Sequence, residues 1–340
     1  MYYSAALWLQ GEDMYGWNPA TPAKLDEDTK VNLWNMNPPH YHLVMLPLAL
    51  LPRGPALVAW WVVNLLLLAW CLRRITRELG IELTPRVRQL GLLGLLAFCA
   101  TGSMILTSQL SFLLLVPMTL MWVDARQGRW ARAGLWLGLA LSVKPFLLLL
   151  VPYLLLKRRW SAVATCTLAA AACFAVGLAV FGVGSHLSWY GKLGISDGWA
   201  WFPLNASLFG ALNRTFTPTH FFTPLAVAAP EHLRLVFLGL GAVIGLLTVW
   251  SAARDDGPGG LDRAFALLVV ASVLLCPLGW TYYFWLPLGP MAAVLLEWRR
   301  QRQAPAPAPW HRRLVWLALL GVFWPVQLVA VLQPFWLSTL

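Results

Sequence analysis

Apolar residues in this chain gather into long uninterrupted runs: 56–72, 90–106, 110–123, 133–156, 161–182, 233–250, 264–277, 282–296 and 314–333. A helix needs about 20 apolar residues to cross a hydrocarbon core, and several of these runs are shorter. Short or broken helices survive in lipid only where protein or a cavity covers the loosened backbone. The pattern therefore predicts an all-α, polytopic membrane fold with short and broken helices around a cavity, built as one domain over 1–340.

One run breaks the simple pattern. Residues 133–156 are continuously apolar, yet basic clusters flank them on both sides. A single crossing would place one cluster on the far face. Two half-length helices meeting at Lys144-Pro145 resolve this, since proline lacks an N–H and disfavours a helical residue before it. Each arm would reach about 18 Å at about 1.5 Å per residue, short of a core about 30 Å thick. Lys144 should then sit at an apex part-way into the bilayer, open to the outer side. Segment 40–52, cut by Pro47 and Pro52, reads as an interfacial or re-entrant helix. The stretch 301–309 reads as a stiff Pro/Ala linker.

Composition supports the membrane reading. Of 340 residues, 59% are hydrophobic and 11% charged, against roughly 25% charged in soluble domains; mean hydropathy is +0.64. The net charge of +11 suggests nucleic acid until its distribution is read. The five regions 73–88, 124–132, 157–160, 251–263 and 297–313 hold 18 of the 25 Lys and Arg. Short basic clusters between apolar runs follow the positive-inside rule and form no recognition face, which argues against a nucleic-acid partner. These regions are expected in the cytoplasm, with 1–55 and 183–232 outside. The five cysteines lie in apolar runs with no CxxC spacing, as buried small hydrophobes do, and no ligand cluster calls for a metal.

Four constellations could carry chemistry. Lys144 is the one charge in the interior of a predicted membrane run, Arg234 standing at the edge of another; an interior charge costs roughly 2.5–3.5 kcal/mol and usually marks a site. As a compact cation it suits phosphate, though it could also snorkel to the interface. In the outer loop, Asn205 and Ser207 can bond sugar hydroxyls or phosphate oxygens, and Arg214 offers a planar fork for phosphate; an ordinary loop reads the same way. Asn205-Ala206-Ser207 and Asn213-Arg214-Thr215 also fit N-glycosylation acceptors, relevant only in a eukaryotic secretory setting. The Pro-Gly break through Trp280, Tyr282 and Tyr283 could stack on a sugar or form part of an aromatic belt. Finally Glu12, Asp13, His40 and His42 sit in the first outer segment, where a carboxylate or histidine could act as a general base or simply be solvated. No GxGxxG or P-loop pattern is present, which argues against a nucleotide donor.

Taken in order, several stretches resemble glycosyltransferase family 87, polyprenol-phosphate-sugar-dependent enzymes with a GT-C fold. They are Tyr2-Tyr3-Ser4-Ala5-Ala6 with Gly11 and Tyr15, Asn37-Pro38-Pro39 followed by Pro47-Leu48-Ala49 and Leu51-Pro52, and Ser108-Gln109. Next come Gly134 to Lys144-Pro145, Arg158-Arg159-Trp160, Asn205-Ala206-Ser207 with Arg214, and Pro277 to Tyr283. The resemblance implies that Lys144 and Arg214 hold a donor phosphate, and that Gln109, Asn205, Ser207, His40, Trp280, Tyr282 and Tyr283 line the donor and sugar cavity. It implies direct inversion: an outer-face carboxylate deprotonates an acceptor hydroxyl, which displaces polyprenyl phosphate, with mannose the expected sugar and an envelope glycan or glycolipid the acceptor. No cofactor is implied. The implied location is a bacterial plasma membrane with the site facing out.

The sequence also departs from the family. Ser108 stands where Gly is usual, Cys276 where Ser is usual, and Tyr282-Tyr283 replace a histidine found near this turn in some members. The family's catalytic aspartate precedes the position of Tyr2, so a further helix carrying it is expected before Met1, with Asp13 the substitute within the sequence. Two other classes stay open on the sequence: a transporter or flippase for a lipid-linked substrate, which would also use broken helices and a midplane charge, and a transferase fold serving as a scaffold.

Overall fold

The structure, a computed structural model, describes residues 1–18, 22–24, 30–32, 35–107, 109, 111–193, 198–218 and 223–301. The expected run 314–333, the linker from 302 onward and Ser108 lie outside these residues.

The chain opens with helix α1 (Tyr2–Leu9) and two three-residue strands, β1 (Pro22–Lys24) and β2 (Lys30–Asn32), paired antiparallel. A 3-10 turn over Pro39–Val44 leads into the one-turn helix α2 (Leu46–Ala49). Then follow α3 (Arg53–Glu78), α4 (Pro85–Ala97), α5 (Cys99–Thr107), α6 (Ser111–Arg126) and α7 (Trp130–Val143). After a 3-10 turn at Pro145–Leu149 come α8 (Leu150–Leu156), α9 (Trp160–Leu193), α10 (Leu208–Phe216), α11 (Pro230–Arg254) and α12 (Gly260–Leu275). A last 3-10 turn over Thr281–Trp285 precedes α13 (Leu288–Gln301). The architecture is the expected all-α polytopic one. Among the described residues α3, α9 and α11 are long and apolar enough to cross a bilayer. Their exposed Leu, Val and Trp side chains suit lipid, not water.

The broken hairpin forms where proline predicts it. Helix α7 ends at Val143, Lys144 leaves helical geometry at φ −134°, ψ 89°, and Pro145 starts the 3-10 turn that leads into α8. Helix α7 lies against α9, and the close approach depends on Gly134 and Gly138. A Cβ on either would collide with the carbonyls of Ala162 or Cys166, the small-xxx-small arrangement of membrane helix pairs.

Three elements differ from the sequence pattern. The run 90–106 splits at Phe98 (ψ 124°), whose ring meets the edge of Trp285 at 4.9 Å; no proline or glycine announces this break. The expected outer loop 183–232 is largely helical. No proline occurs between Tyr153 and Phe202, so α9 runs on to Leu193, kinked at Gly182 (φ 74°), and α10 follows. The portion of α9 before the kink spans about 33 Å at about 1.5 Å per residue, one bilayer core. The first outer segment likewise begins as helix α1 rather than loop.

The described parts of the five basic regions, the last of them 297–301, converge on one end of the molecule. Glu78, Arg126, Trp130, Lys157, Arg159, Asp255 and Asp262 border a single polar cavity there, and Arg263 reaches Glu297. Lys144 lies at the other end of its hairpin arm, beside Asn37 of the first segment.

Candidate functional site

The 3-10 turn at Pro145 and the turn between α12 and α13 enclose a cavity of about 530 Å³. Its wall combines Met36, Val143, Lys144, Phe146, Ser272, Cys276, Pro277, Trp280 and Tyr283. The size lies within the range of small-molecule sites, which pair an apolar lining with a few directed polar groups. Phe146 and Tyr283 pack with ring centroids 4.8 Å apart, and Trp280 stacks on Tyr282 at 6.1 Å.

Lys144 is the cavity's cation. Its Nζ donates to Asn37 Oδ1 at 2.8 Å and lies 5.9 Å from the centroid of the Tyr283 ring. No carboxylate of the described residues pairs with it. Asn37 is itself held by neighbours. Its Nδ2 donates to Asn35 Oδ1 at 3.0 Å, and its carbonyl accepts from Tyr15 Oη at 2.6 Å. Asn35 Nδ2 donates to Ser4 Oγ at 2.8 Å and faces His42 Nε2. Asn35 belongs to none of the motifs read in the sequence, and Ser4 and Asn37 stand there only as parts of motifs. The available signal was Asn37-Pro38-Pro39: a residue before proline is restricted to extended backbone, so two consecutive prolines make its direction predictable.

The other expected site residues take different places. Asn205 is fully buried, and its Nδ2 donates to the carbonyls of Ala200 and Pro277, each at 2.9 Å. Ser207 Oγ donates to Pro277 O at 3.1 Å and caps α10 by accepting from Gly210 N at 2.9 Å. Backbone bonds from Ala206 N to Gly279 O and from Thr281 N to Leu204 O complete the join. These two side chains staple the outer loop to the Pro277–Trp280 turn and have no polar atom in the cavity wall. Arg214 is engaged in a similar way. Its Nη1 donates to Phe202 O at 3.2 Å and Asn205 O at 2.8 Å, bracing that loop, and it does not line the cavity with Lys144. Tyr282 is buried behind Tyr283. His40 is buried against Gly177 and lies outside the wall, and Gln109 is half-buried outside it.

Asp13 is exposed. Its Oδ1 accepts from Tyr15 N at 3.0 Å, and its Oδ2 accepts from Ser188 Oγ at 3.2 Å. Tyr15 links it to Asn37, and so to Lys144, by way of the hydrogen bond already described. Among the described residues no group of three or more His, Cys, Asp or Glu is arranged to hold a metal ion.

A cation with no counter-charge among the described residues, set in an aromatic-lined cavity at the break of a membrane hairpin, suits an anionic ligand carrying a ring. The profile of the family described as glycosyltransferase family 87 matches residues 35–277. The chain belongs to that family. The matched stretch opens at Asn35, takes in the Lys144 hairpin and closes at Pro277 of the cavity wall. This membrane glycosyltransferase is also similar, at 29% identity over 312 residues, to a protein of Mycolicibacterium smegmatis (strain ATCC 700084 / mc(2)155). That protein is a polyprenol-phosphate-mannose-dependent alpha-(1-2)-phosphatidylinositol pentamannoside mannosyltransferase, and the alignment covers 87% of this chain and 68% of that one. No solved structure matches the chain.

Proposed function

We propose that this glycosyltransferase moves a hexose, mannose by its similarity to the mycobacterial enzyme, from a polyprenyl-phosphate donor to a glycolipid or glycan acceptor on the outer face of a bacterial plasma membrane. The observation that carries the reading is Lys144, whose ammonium meets a neutral amide in a cavity lined by Phe146, Trp280 and Tyr283. A polyprenyl-phosphate sugar supplies what that cavity lacks: a phosphate for the cation and a ring for the aromatic wall. The basic regions gathered at the opposite end support an outward-facing site by the positive-inside rule.

In this reaction an acceptor hydroxyl attacks the anomeric carbon while the bond from that carbon to the phosphate oxygen breaks. The hydroxyl proton passes to a carboxylate, for which Asp13 is the candidate within the described residues. The leaving polyprenyl phosphate takes the bonding electrons, and Lys144 stabilises its growing charge. The phosphate leaves without a nucleotide, consistent with the lack of a nucleotide-binding motif. Asn205, Ser207 and Arg214 serve this scheme by holding the Trp280 turn against the outer loop.

The test is incubation of the purified protein with labelled polyprenyl-phosphate mannose and a phosphatidylinositol mannoside acceptor. Release of polyprenyl phosphate with label appearing in the acceptor is the expected result. Movement of intact donor across the bilayer without cleavage would replace this reading with a flippase.

A further inference from the structure

The polar groups behind Lys144 form a chain whose donor and acceptor directions are all determined. His42 is buried, and its Nδ1 lies 3.2 Å from Pro38 O and 3.3 Å from Pro39 O. Carbonyls only accept, so Nδ1 carries the proton and Nε2 is left as the acceptor. Asn35 must then present its Nδ2 to His42, which turns Asn35 Oδ1 toward Asn37. Asn35 Oδ1 accepts from both the backbone N and the Nδ2 of Asn37, at 3.1 and 3.0 Å. Asn37 is therefore compelled to show Lys144 its oxygen. Amide orientations are often ambiguous taken singly; here each one is fixed by its neighbour, back to a backbone carbonyl.

The backbone of Asn37 is held as firmly. Two prolines follow it, and Tyr15 Oη grips its carbonyl. One residue before it, Trp189 Nε1 of α9 donates to Met36 O at 3.1 Å. Such convergence on one neutral side chain exceeds what a loop needs for stability, and its output is a single hydrogen bond to the cavity's cation.

We propose that Asn37 is a positioning residue for the donor. It takes one of the three N–H groups of Lys144, so that the ammonium is aimed and the remaining donors face the cavity, where the phosphate binds. This rests on the assignment of Lys144 to the donor phosphate. The carboxamide does this without cancelling the charge, which a carboxylate at the same place would do. Asn35 and His42 fix its orientation and touch no substrate.

The experiment is a cycle of Lys144→Ala, Asn37→Ala and the double variant, reading kcat and donor KM with labelled polyprenyl-phosphate mannose. Lys144→Ala reports on the phosphate assignment alone; an unchanged donor KM there would remove that assignment and this inference with it. Asn37→Ala should raise donor KM about fivefold to tenfold, the scale of one charge-assisted hydrogen bond, with kcat within about twofold of the parent. In the Lys144→Ala background Asn37→Ala should add nothing. An equal rise in KM whether or not Lys144 is present would show that Asn37 acts independently of the lysine and would overturn the proposal, while the phosphate assignment stood. Asn35→Leu provides a second readout if Asn37→Ala fails to fold. It removes the acceptor that turns Asn37 and should raise donor KM in the parent, while adding nothing in the Lys144→Ala background. An equal rise in both backgrounds would also overturn the relay.

Discussion

The two ends of this molecule treat charge in opposite ways. At the end where the basic regions gather, Arg126, Lys157 and Arg263 each meet a carboxylate, while Arg159 of the same cavity lies over the Trp130 ring at 4.3 Å. Arg126 binds Asp262 and, at 3.3 Å, Glu78; Lys157 reaches Asp256 at 2.6 Å; Arg263 reaches Asp255 at 2.7 Å and Glu297 at 3.2 Å. Asp124, almost wholly buried, collects Arg129, Arg132 and the indole N–H of Trp136. At the other end Lys144 meets, among the described residues, an amide oxygen and an aromatic face. Charges that are already neutralised can organise helix ends but have little left for a ligand. A cation held by dipoles keeps its field, which is the condition for binding an anion. The cavity among the ion pairs, about 460 Å³, is accordingly read as part of the scaffold, and the one at Lys144 as the site.

The largest effect expected from this contrast is on turnover. Lys144→Met should lower donor turnover at least about 100-fold, the scale for removing one preorganised electrostatic contact to a leaving group. The same change should leave thermal stability unchanged or raise it, because an apolar side chain replaces a half-buried charge that has no carboxylate partner among the described residues. Turnover with labelled donor and unfolding in one detergent preparation measure both. A destabilised but active variant would show that Lys144 belongs with the structural charges.

At the paired end the expectation reverses. Asp124→Ala leaves Arg129 and the Trp136 N–H without their acceptor, and should cost about 2–3 kcal/mol. That is less than a fully enclosed pair, because Arg129 and Arg132 reach solvent. The protein that remains folded should keep its donor KM. Chemical denaturation together with steady-state kinetics would check this, and a raised KM at unchanged stability would dissolve the distinction between the two ends. A smaller loss is expected between them: Gly138→Ala drives a methyl into the Cys166 carbonyl across the α7–α9 contact. It should cost about 1–3 kcal/mol, the range for overpacking a close contact, with part of the loss appearing as reduced turnover because α7 carries Lys144. Melting temperature and turnover of the same variant read the two components.

The same contrast shows what the sequence made legible. The hairpin was readable because proline and flanking charge constrain the backbone locally, so Lys144-Pro145 marked the break and its place at the end of the arm away from the basic cluster. The gathering of five basic regions followed from a rule about membranes and needed no knowledge of contacts. The roles of Asn205, Ser207 and Arg214 were not readable. A sequence shows that a side chain can donate hydrogen bonds, but the choice between a ligand and a neighbouring carbonyl depends on how the chain returns. Here the loop meets the Pro277 turn about 70 residues later, where Asn205 and Ser207 donate to Pro277 O, while Arg214 Nη1 binds the loop's own carbonyls. Ser207 alone gave a local hint, since serine is a favoured helix N-cap and α10 begins at the next residue. The split at Phe98 had no local proline signal; the ring contact that accompanies it is to Trp285, far along the chain.

The smallest predicted effect tests whether the paired end is held by titratable contacts. Asp255 lies between α11 and α12, outside the membrane-spanning helices. Hydrogen bonds from Arg263 chiefly hold its carboxyl below the usual carboxylate range, despite the opposing cost of partial burial. A depressed folded-state value means that the pair's contribution to stability is complete above the ordinary carboxylate value, about 4. It declines as pH falls through the folded-state value, because protonation removes the charge that Arg263 binds. Asp255→Asn should therefore melt below the parent at pH 7, by the small margin of a partly exposed ion pair, about 1 kcal/mol or less. The two curves should converge as pH is lowered from 5 toward 3. Melting temperatures of both proteins across that range make the measurement. Curves that diverge on acidification would mean that protonation strengthens this corner, and the charge pairing assigned to it would be wrong. High salt should shrink the gap at pH 7, since screening weakens exposed pairs, and a gap insensitive to both salt and pH would point to packing in place of charge.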